Sequence, residues 1–482
     1  MILAAIQDIN FWLYTSLYII YFITVISTIV VILSENRNPV KSIAWIVVLL
    51  FLPVVGIVFY FFFGQEYRRQ RMISRKGKRK LLKNINYSEN EISNLPLFLS
   101  SESIQEIKLG YALGEFIPYP GNKVTIFTEG ESKFDMLKSK MRKARKFIHL
   151  QYYIFNNDKL GNEIKQILIE KAREGIEVRV IYDDVGCWKV KKHFFEEMTA
   201  AGIEVYPFLE VTFPQLANKI NYRNHRKIVI VDGTCGFIGG MNIADRYRDG
   251  VPWGIWRDTH ILIEGPAVQG LQSSFAVDWC FTSRQLLSKK LYFPVVAPKG
   301  NTCIQIITSG PIGEWKEISL TFLKAISNAK QYVYIQTPYF LPTESLMKVL
   351  QVAALAKVDV RLMLPEKSDS PVLQLASHSY IKPMLKAGVK VYFYQKGFIH
   401  SKTIVIDDEF STVGSTNLDF RSFDHNFEVN AFMYDKELAV KMKNIFIADQ
   451  QQCRRIPWSY WRRRPVASKV KESIVRLLSP VL

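Results

Sequence analysis

Two uninterrupted apolar stretches open the chain: Phe11 to Leu33, 23 residues without a charge, and Ser42 to Phe63, 22 residues without one. A helix rises ~1.5 Å per residue and the bilayer core is ~30 Å thick, so each run predicts a membrane-spanning helix. The first run has no basic start and no small-residue cleavage site, and it exceeds a signal-peptide core, so it reads as a retained anchor. Pro53 and Gly56 are placed to kink the second. The intervening loop, Ser34 to Lys41, has modest positive charge, whereas Glu66 to Lys83 holds nine basic residues and one acidic. The positive-inside rule then predicts a multi-pass protein of the cell membrane, with this segment and everything after it in the cytoplasm.

From about Asn122 the pattern changes to short β-branched runs alternating with helical stretches, and the same order occurs twice. Ala144 to Phe155 (ARKFIHLQYYIF) precedes a helical stretch and the strand-like Val178 to Ile181. Ala329 to Phe340 (AKQYVYIQTPYF) does the same before Val360 to Met363. Ala201-Gly202-Ile203-Glu204-Val205-Tyr206 is answered by Ala387-Gly388-Val389-Lys390-Val391-Tyr392. Strand, helix, strand, helix, strand in each half predicts an α/β fold with two similar lobes facing one another. The expected organisation is a two-span anchor over 1–64, a basic segment and linker over 65–120, lobes over 121–295 and 296–456, and a tail over 457–482. The first half carries eleven extra residues before its histidine, including Phe213-Pro214-Gln215, which read as either a surface insertion or a lipid-contacting lid. In the tail, Trp458 to Arg464 mixes aromatic and basic residues, and Val466, Val470, Ile474, Leu477 and Leu478 follow at helical spacing. Those are the ingredients of an interfacial helix, the alternative being a helix docked on the body.

Charge refines the partner. The net charge is +19, but Glu66–Lys83 contributes +8 and Arg454–Leu482 contributes +7, leaving only about +4 for the rest. Basic residues concentrated beside apolar segments fit anionic lipid headgroups, whereas a nucleic-acid enzyme would spread charge around its catalytic face, so no nucleic-acid partner is expected. The five cysteines are odd in number and contain no C-x-x-C pair, which argues for reduced thiols rather than a disulfide framework or a zinc site. Charge and cysteine count leave the oligomeric state open.

The chemistry sits in a motif present twice. His225-Arg226-Lys227 runs through Ile228–Val231 to Asp232, and His400-Ser401-Lys402 runs through Thr403–Ile406 to Asp407. Seven residues past each Asp comes Gly239-Gly240-Met241-Asn242 or Gly414-Ser415-Thr416-Asn417, so His to Asn is seventeen residues both times. Side chains alternate along a strand, which puts each His and its Lys on one face. A face bearing imidazole, ammonium and amide suits a phosphoryl group: cation and N–H neutralise oxyanion charge while the imidazole handles bonds and protons.

The paired His-x-Lys-x4-Asp signatures with their G-[GS]-x-N sequels resemble the phospholipase D superfamily, and with the apolar runs ahead of them the chain looks like the bacterial cardiolipin synthases. The resemblance implies two phospholipase D-like lobes, mixed sheets flanked by helices and related by a pseudo-twofold. It implies phosphatidyl transfer between two phosphatidylglycerol molecules through a phosphohistidine, with no metal or other cofactor. On matching positions, His225 is the nucleophile and His400 the acid and then base, an assignment the near-symmetry allows to be reversed. Lys227, Lys402, Asn242 and Asn417 would hold phosphate oxygens, with Ser415 matched by glycine at 240. A carboxylate beyond each Gly-Asn turn would orient an imidazole, and the positions point to Asp258 and Glu428. Asp232 and Asp407 belong to the signature but lie at strand ends, where they fit turn fixing better than chemistry. A hydrolytic phospholipase D and a membrane-anchored nucleic-acid phosphodiesterase share the motif and stay open as alternatives.

Overall fold

The computed structural model describes residues 2–34, 39–60, 72–84, 95–96, 99–211, 221–477 and 479. The insertion at Phe213-Pro214-Gln215, the loop residues 35–38, the first part of the basic segment and Leu478 lie outside the described residues. The chain divides into two compact units, one formed by its N-terminal part up to Tyr67 and the other by Arg68–Val211 with Tyr222–Leu482.

In the N-terminal unit, the first apolar run lies within one helix, Ile2–Ser34, whose Asn10–Leu33 window is the one among the described residues long and apolar enough to cross a membrane. Most of its bulky side chains project outward, Trp12 at 66% and Tyr18 at 73% exposure, as they do on an apolar helix where no protein covers it. The second run differs from expectation. It forms a helix over Pro39–Phe51 and another over Pro53–Phe59, separated at Leu52, whose backbone leaves the helical region (φ −133°, ψ 64°). Pro53 has no N–H to give the preceding turn, and its ring disfavours a helical residue before it. Pieces of 13 and 7 residues rise only ~20 and ~10 Å, so neither alone is long enough to span, and Phe61 to Phe63 of the run lie outside the described residues. Ile32, Leu49 and Tyr60 nevertheless form a small buried cluster, with the Trp45 ring edge-on to Tyr60 at 5.4 Å.

The larger unit contains the repeat. In the first lobe, neighbouring strands run Glu204–Phe208, Glu177–Asp183, Phe147–Tyr152, Ile228–Val231, Cys235–Gly239, His260–Glu264 and Pro118–Phe127. In the second they run Lys390–Tyr394, Asp359–Pro365, Tyr332–Gln336, Thr403–Ile406, Phe410–Gly414, Asn426–Tyr434 and Thr302–Ser309, with Cys453–Ile456 added at the outer edge. The order is the same, parallel at the outer strands and antiparallel inward, which makes both sheets mixed. The β-branched runs Ile228–Val231 and Thr403–Ile406 are buried along their whole length, as strands covered on both faces should be. The lobes join through Pro118–Phe127: its first residues pair with Thr302–Ser309, and past an irregularity between Tyr119 and Asn122 the remainder pairs with His260–Glu264.

Each lobe has its own apolar core, with Leu150, Val180 and Val229 in one answered by Ile335, Leu362 and Ile404 in the other. Part of the expected linker belongs to the second lobe. Helix Ser101–Gly114 packs on helix Glu317–Asn328, and Asn328 donates to Glu106 at 3.0 Å. The tail forms helices Trp458–Arg462 and Val466–Arg476, the latter against helix Pro371–Ala387. Glu472 faces inward and takes both guanidinium nitrogens of Arg464, while Trp461 is buried against Phe393 and His378. This docking leaves Val466, Val470, Ile474 and Leu477 as an outward aliphatic stripe, each more than half exposed.

Candidate active site

Two short ladders bring the duplicated motif together across the lobes. Arg223–Asn224 of the first lobe pairs in parallel with Asn426–Phe427 of the second, and the His225 N–H donates to the Phe427 carbonyl at 2.9 Å. Gly397–Ile399 of the second pairs in parallel with Ile255–Arg257 of the first, and the His400 N–H donates to the Arg257 carbonyl at 2.7 Å. Each histidine therefore begins its motif on a segment hydrogen-bonded to the opposite lobe. Both imidazoles, with Asn242 and Asn417, line one cavity of about 260 Å³. A larger cavity of about 390 Å³, lined by Met72, Leu81 and Ile306 among others, lies where Arg226 and Phe427 form part of its wall and holds neither histidine.

The carboxylates are crossed in the same way. His225 Nδ1 lies 3.0 and 3.1 Å from the two oxygens of Glu428, and His400 Nδ1 lies 2.7 Å from Asp258. A carboxylate on Nδ1 fixes that nitrogen as the protonated one and leaves the Nε2 lone pair for other work. Glu428 also accepts from Asn426 at 3.0 Å and from the Ser415 hydroxyl. Ser415 is thus turned to the carboxylate, not to the cavity, and also accepts the Val429 N–H at 3.0 Å. In the first lobe the matching Gly240 leaves no room for a side chain: a Cβ there would overlap the Asp258 carboxylate. Asp258 also accepts the Thr259 N–H at 2.7 Å.

The lysines stand behind the histidines. Lys227 donates to the His225 carbonyl at 2.6 Å, and Lys402 donates to the His400 carbonyl with its Nζ 2.9 and 3.1 Å from the ring nitrogens. Burial pushes Lys227 down to about 7 and Lys402 to about 8, with Glu428 and Asp258 respectively as the chief opposing charges. Burial likewise lowers both histidines to about 4. At His225 Glu428 opposes this and the Lys227 charge adds to it, and at His400 the Lys402 charge adds to it and Asp258 opposes. Burial works against ionised Asp258 and Glu428, yet Lys402 and His400 on one side and His225 and Lys227 on the other hold both carboxyls below the usual range. Burial thus favours neutral imidazoles beside ionised carboxylates, and a phosphodiester anion binding there would raise the affinity of the imidazoles for protons.

Asp232 and Asp407, the acidic members of the two signatures, do not line the cavity. Each takes a left-handed backbone (φ 52° and 50°), which Asp tolerates better than most residues. Asp232 accepts the N–H groups of Arg145, Lys146 and Phe147 at 2.7–3.0 Å, and Asp407 those of Lys330, Gln331 and Tyr332 at 2.6–2.9 Å. They tie the motif strand's end to the start of its neighbour in each sheet. Asn242 spends its amide on the Ile154 N–H and the Tyr247 hydroxyl, while the buried Asn417 Oδ1 has no hydrogen-bond partner among the described residues. Among the described residues no group of three His, Cys, Asp or Glu side chains is arranged to hold a metal.

This arrangement is matched by known sequences. A family model described as cardiolipin synthase, PLD-like domain, matches residues 137–279 and 322–450, spanning both lobes. The chain belongs to the cardiolipin synthase family. A second model, the phospholipase D-nuclease N-terminal segment, matches residues 19–65. The major cardiolipin synthase ClsA of Bacillus subtilis is 40% identical over 474 residues, covering 96% of this chain and 98% of that protein. A cardiolipin synthase of Geobacillus kaustophilus is 40% identical over 465 residues, covering 95% and 92%. Among solved structures, a phosphatidylserine synthase of Haemophilus influenzae covers 78% of this chain and 100% of its own at a TM-score of 0.62 and 12% identity, which is likeness of fold alone.

Other residues of this cardiolipin synthase family member were not singled out in the sequence. Tyr153 stands edge-on to His225 at 5.0 Å, and Trp256 and Tyr247 lie 5.2 and 6.0 Å from His400. Behind them Asp278 takes Arg226 and Gln151, both at 2.5 Å, and Asp449 takes Arg257 at 2.7 Å and Gln336 at 2.8 Å. A signal for the second group was present: Gln151 and Gln336 occupy the same place in the repeated segments.

Proposed function

We propose that the protein is a cardiolipin synthase that transfers a phosphatidyl group from one phosphatidylglycerol to the free glycerol hydroxyl of another, releasing glycerol. The observation that carries this reading is the meeting of His225 and His400, each on a carboxylate from the opposite lobe, in one cavity.

His225 Nε2 attacks phosphorus and the phosphorus–oxygen bond to glycerol breaks, with the departing oxygen taking its proton from His400. The second phosphatidylglycerol then gives its hydroxyl proton to His400 as its oxygen displaces the imidazole. His225 is favoured as nucleophile because Glu428 is divided among three donors, whereas the 2.7 Å contact to Asp258 suits a His400 that carries a proton. Lys227, Lys402, Asn242 and Asn417 neutralise and orient the phosphate oxygens.

In this reading the N-terminal helix holds the enzyme at the cell membrane, and the Leu52-broken pair of helices crosses as a kinked second span. The catalytic lobes face the cytoplasm, because the basic segment follows the second run. The outward stripe Val466, Val470, Ile474 and Leu477, flanked by Arg462, Arg463 and Lys469, rests on anionic lipid.

Purified protein in phosphatidylglycerol bilayers tests the assignment. Cardiolipin and glycerol in equal amounts are expected. Phosphatidic acid as the main product would favour the hydrolytic alternative, and salt-sensitive cleavage of DNA or RNA lost on His225→Ala would favour the nuclease alternative.

A further inference from the structure

The duplicated motif leaves two cavity-lining arginines unexplained. Arg246 follows Asn242 by four residues, and Arg421 follows Asn417 by four, so the repeat carries a guanidinium at the same offset in each lobe. Both line the cavity that holds the histidines. Arg246 is on the His400 side, its guanidinium carbon 5.3 Å from the Tyr247 ring and 5.4 Å from Trp256, and its buried Nε has no hydrogen-bond partner among the described residues. Arg421 is on the His225 side, near Tyr153 and Arg223, and its like charge adds to burial in lowering Arg223.

Elsewhere in the larger unit Arg226, Arg257, Arg361 and Arg464 each meet a carboxylate. Neither Arg246 nor Arg421 forms an ion pair with any described carboxylate. The cavity's own acids are engaged elsewhere: Asp369 accepts the Tyr339 hydroxyl at 2.7 Å, and Asp419 accepts the Ser422 N–H at 2.6 Å. A guanidinium with no carboxylate beside it is free to pair with an anion that enters the cavity.

Joining two phosphatidylglycerols places two phosphodiester anions one glycerol apart. The reacting phosphate has Lys227 and Lys402 behind the imidazoles, and the second has no counter-charge in that set. We propose that Arg246 and Arg421 form a second anion subsite, which holds the phosphodiester of the acceptor lipid while its hydroxyl attacks. This rests on the transfer reaction proposed above and says what selects its acceptor. The acceptor oxygen forms its bond to phosphorus as the phosphorus–nitrogen bond breaks, and the hydroxyl proton passes to the partner imidazole. Water and free glycerol carry no phosphate, so the subsite does nothing for them.

The same enzyme should exchange labelled glycerol into phosphatidylglycerol, a reaction that uses the donor site alone, and the two rates give the test. In Arg246→Gln and Arg421→Gln, cardiolipin formation is expected to fall at least tenfold more than glycerol exchange, with phosphatidic acid rising as a fraction of product. Lysine at either position should restore part of the ratio. Equal loss of both reactions in a variant that melts like the parent, or no loss of either, overturns the subsite. Should a glutamine variant fail to fold, Arg246→Lys and Arg421→Lys carry the same ratio measurement against the parent. If the parent enzyme makes neither cardiolipin nor exchanged phosphatidylglycerol, the transfer reading itself fails and the subsite goes with it.

Discussion

The two halves of the site are built to one plan but finished differently. On the His225 side a glutamate reaches the imidazole and is steadied by Ser415 and Asn426, with Lys227 directed at a backbone carbonyl. On the His400 side the carboxylate is one methylene shorter, a glycine replaces the serine, and Lys402 lies against the ring itself. Glu428 with Ser415 and Asp258 with Gly240 are therefore matched sets: the longer acid has a hydroxyl to hold it, and the shorter one occupies the space a Cβ would need. The difference teaches that a duplicated site can keep its geometry while its two imidazoles acquire unequal surroundings, as a nucleophile and an acid require.

The sharpest way to break this comparison is to neutralise each carboxylate. Glu428→Gln must turn an amide N–H toward one of three side-chain donors, whereas Asp258→Asn has only two donors to satisfy and turns its N–H toward either His400 or the Thr259 N–H. Turnover is expected to fall about 10²-fold for the first and nearer tenfold for the second, measured as cardiolipin formed per enzyme. Equal losses would mean that the unequal surroundings carry no functional weight. Exchanging the matched partners comes next. Gly240→Ala should displace Asp258 and cost about tenfold or more, while Ser415→Ala removes one of several donors to Glu428 and should cost only a few-fold.

A pH series sharpens the lysine half of the comparison. Lys227 at about 7 and Lys402 at about 8 are ammonium below those values and lose charge as pH rises through them. KM for phosphatidylglycerol should therefore rise, by roughly tenfold between about pH 7 and 9, with kcat changing less. Lys227→Arg should move that limb to higher pH. The smallest effect on chemistry is expected from Asp232→Asn and Asp407→Asn. Each loses charge-assisted bonds to backbone N–H groups, so unfolding should become easier by about 1–3 kcal/mol while kcat stays within a few-fold.

What could be read in the sequence was whatever depends on spacing within one segment. His225, Lys227 and Asn242 repeat at fixed offsets in His400, Lys402 and Asn417, and alternation along a strand was enough to set imidazole and ammonium on one face. The α/β order of each lobe followed from β-branched runs such as Ile228–Val231. The crossing of Glu428 to His225 and Asp258 to His400 could not be read, because it depends on Asn426–Phe427 and Ile255–Arg257 pairing with the opposite lobe. Arg246 and Arg421 do repeat at a common offset, but an arginine on a short helical turn gives no sign of the cavity it lines. The second apolar run shows the opposite limit. Composition made it a span, and one proline divided it at Leu52.

The central claim is that the two lobes close one covalent centre on a single phosphorus. Rapid quenching of the enzyme during turnover of phosphatidylglycerol, followed by peptide mapping at alkaline pH, tests it directly. A phosphatidyl group on the His225 peptide is expected, absent in His225→Ala, with cardiolipin formation lost at least about 10³-fold in both His225→Ala and His400→Ala. Near-normal cardiolipin synthesis by either variant, or turnover with no adduct on either histidine, would contradict the account.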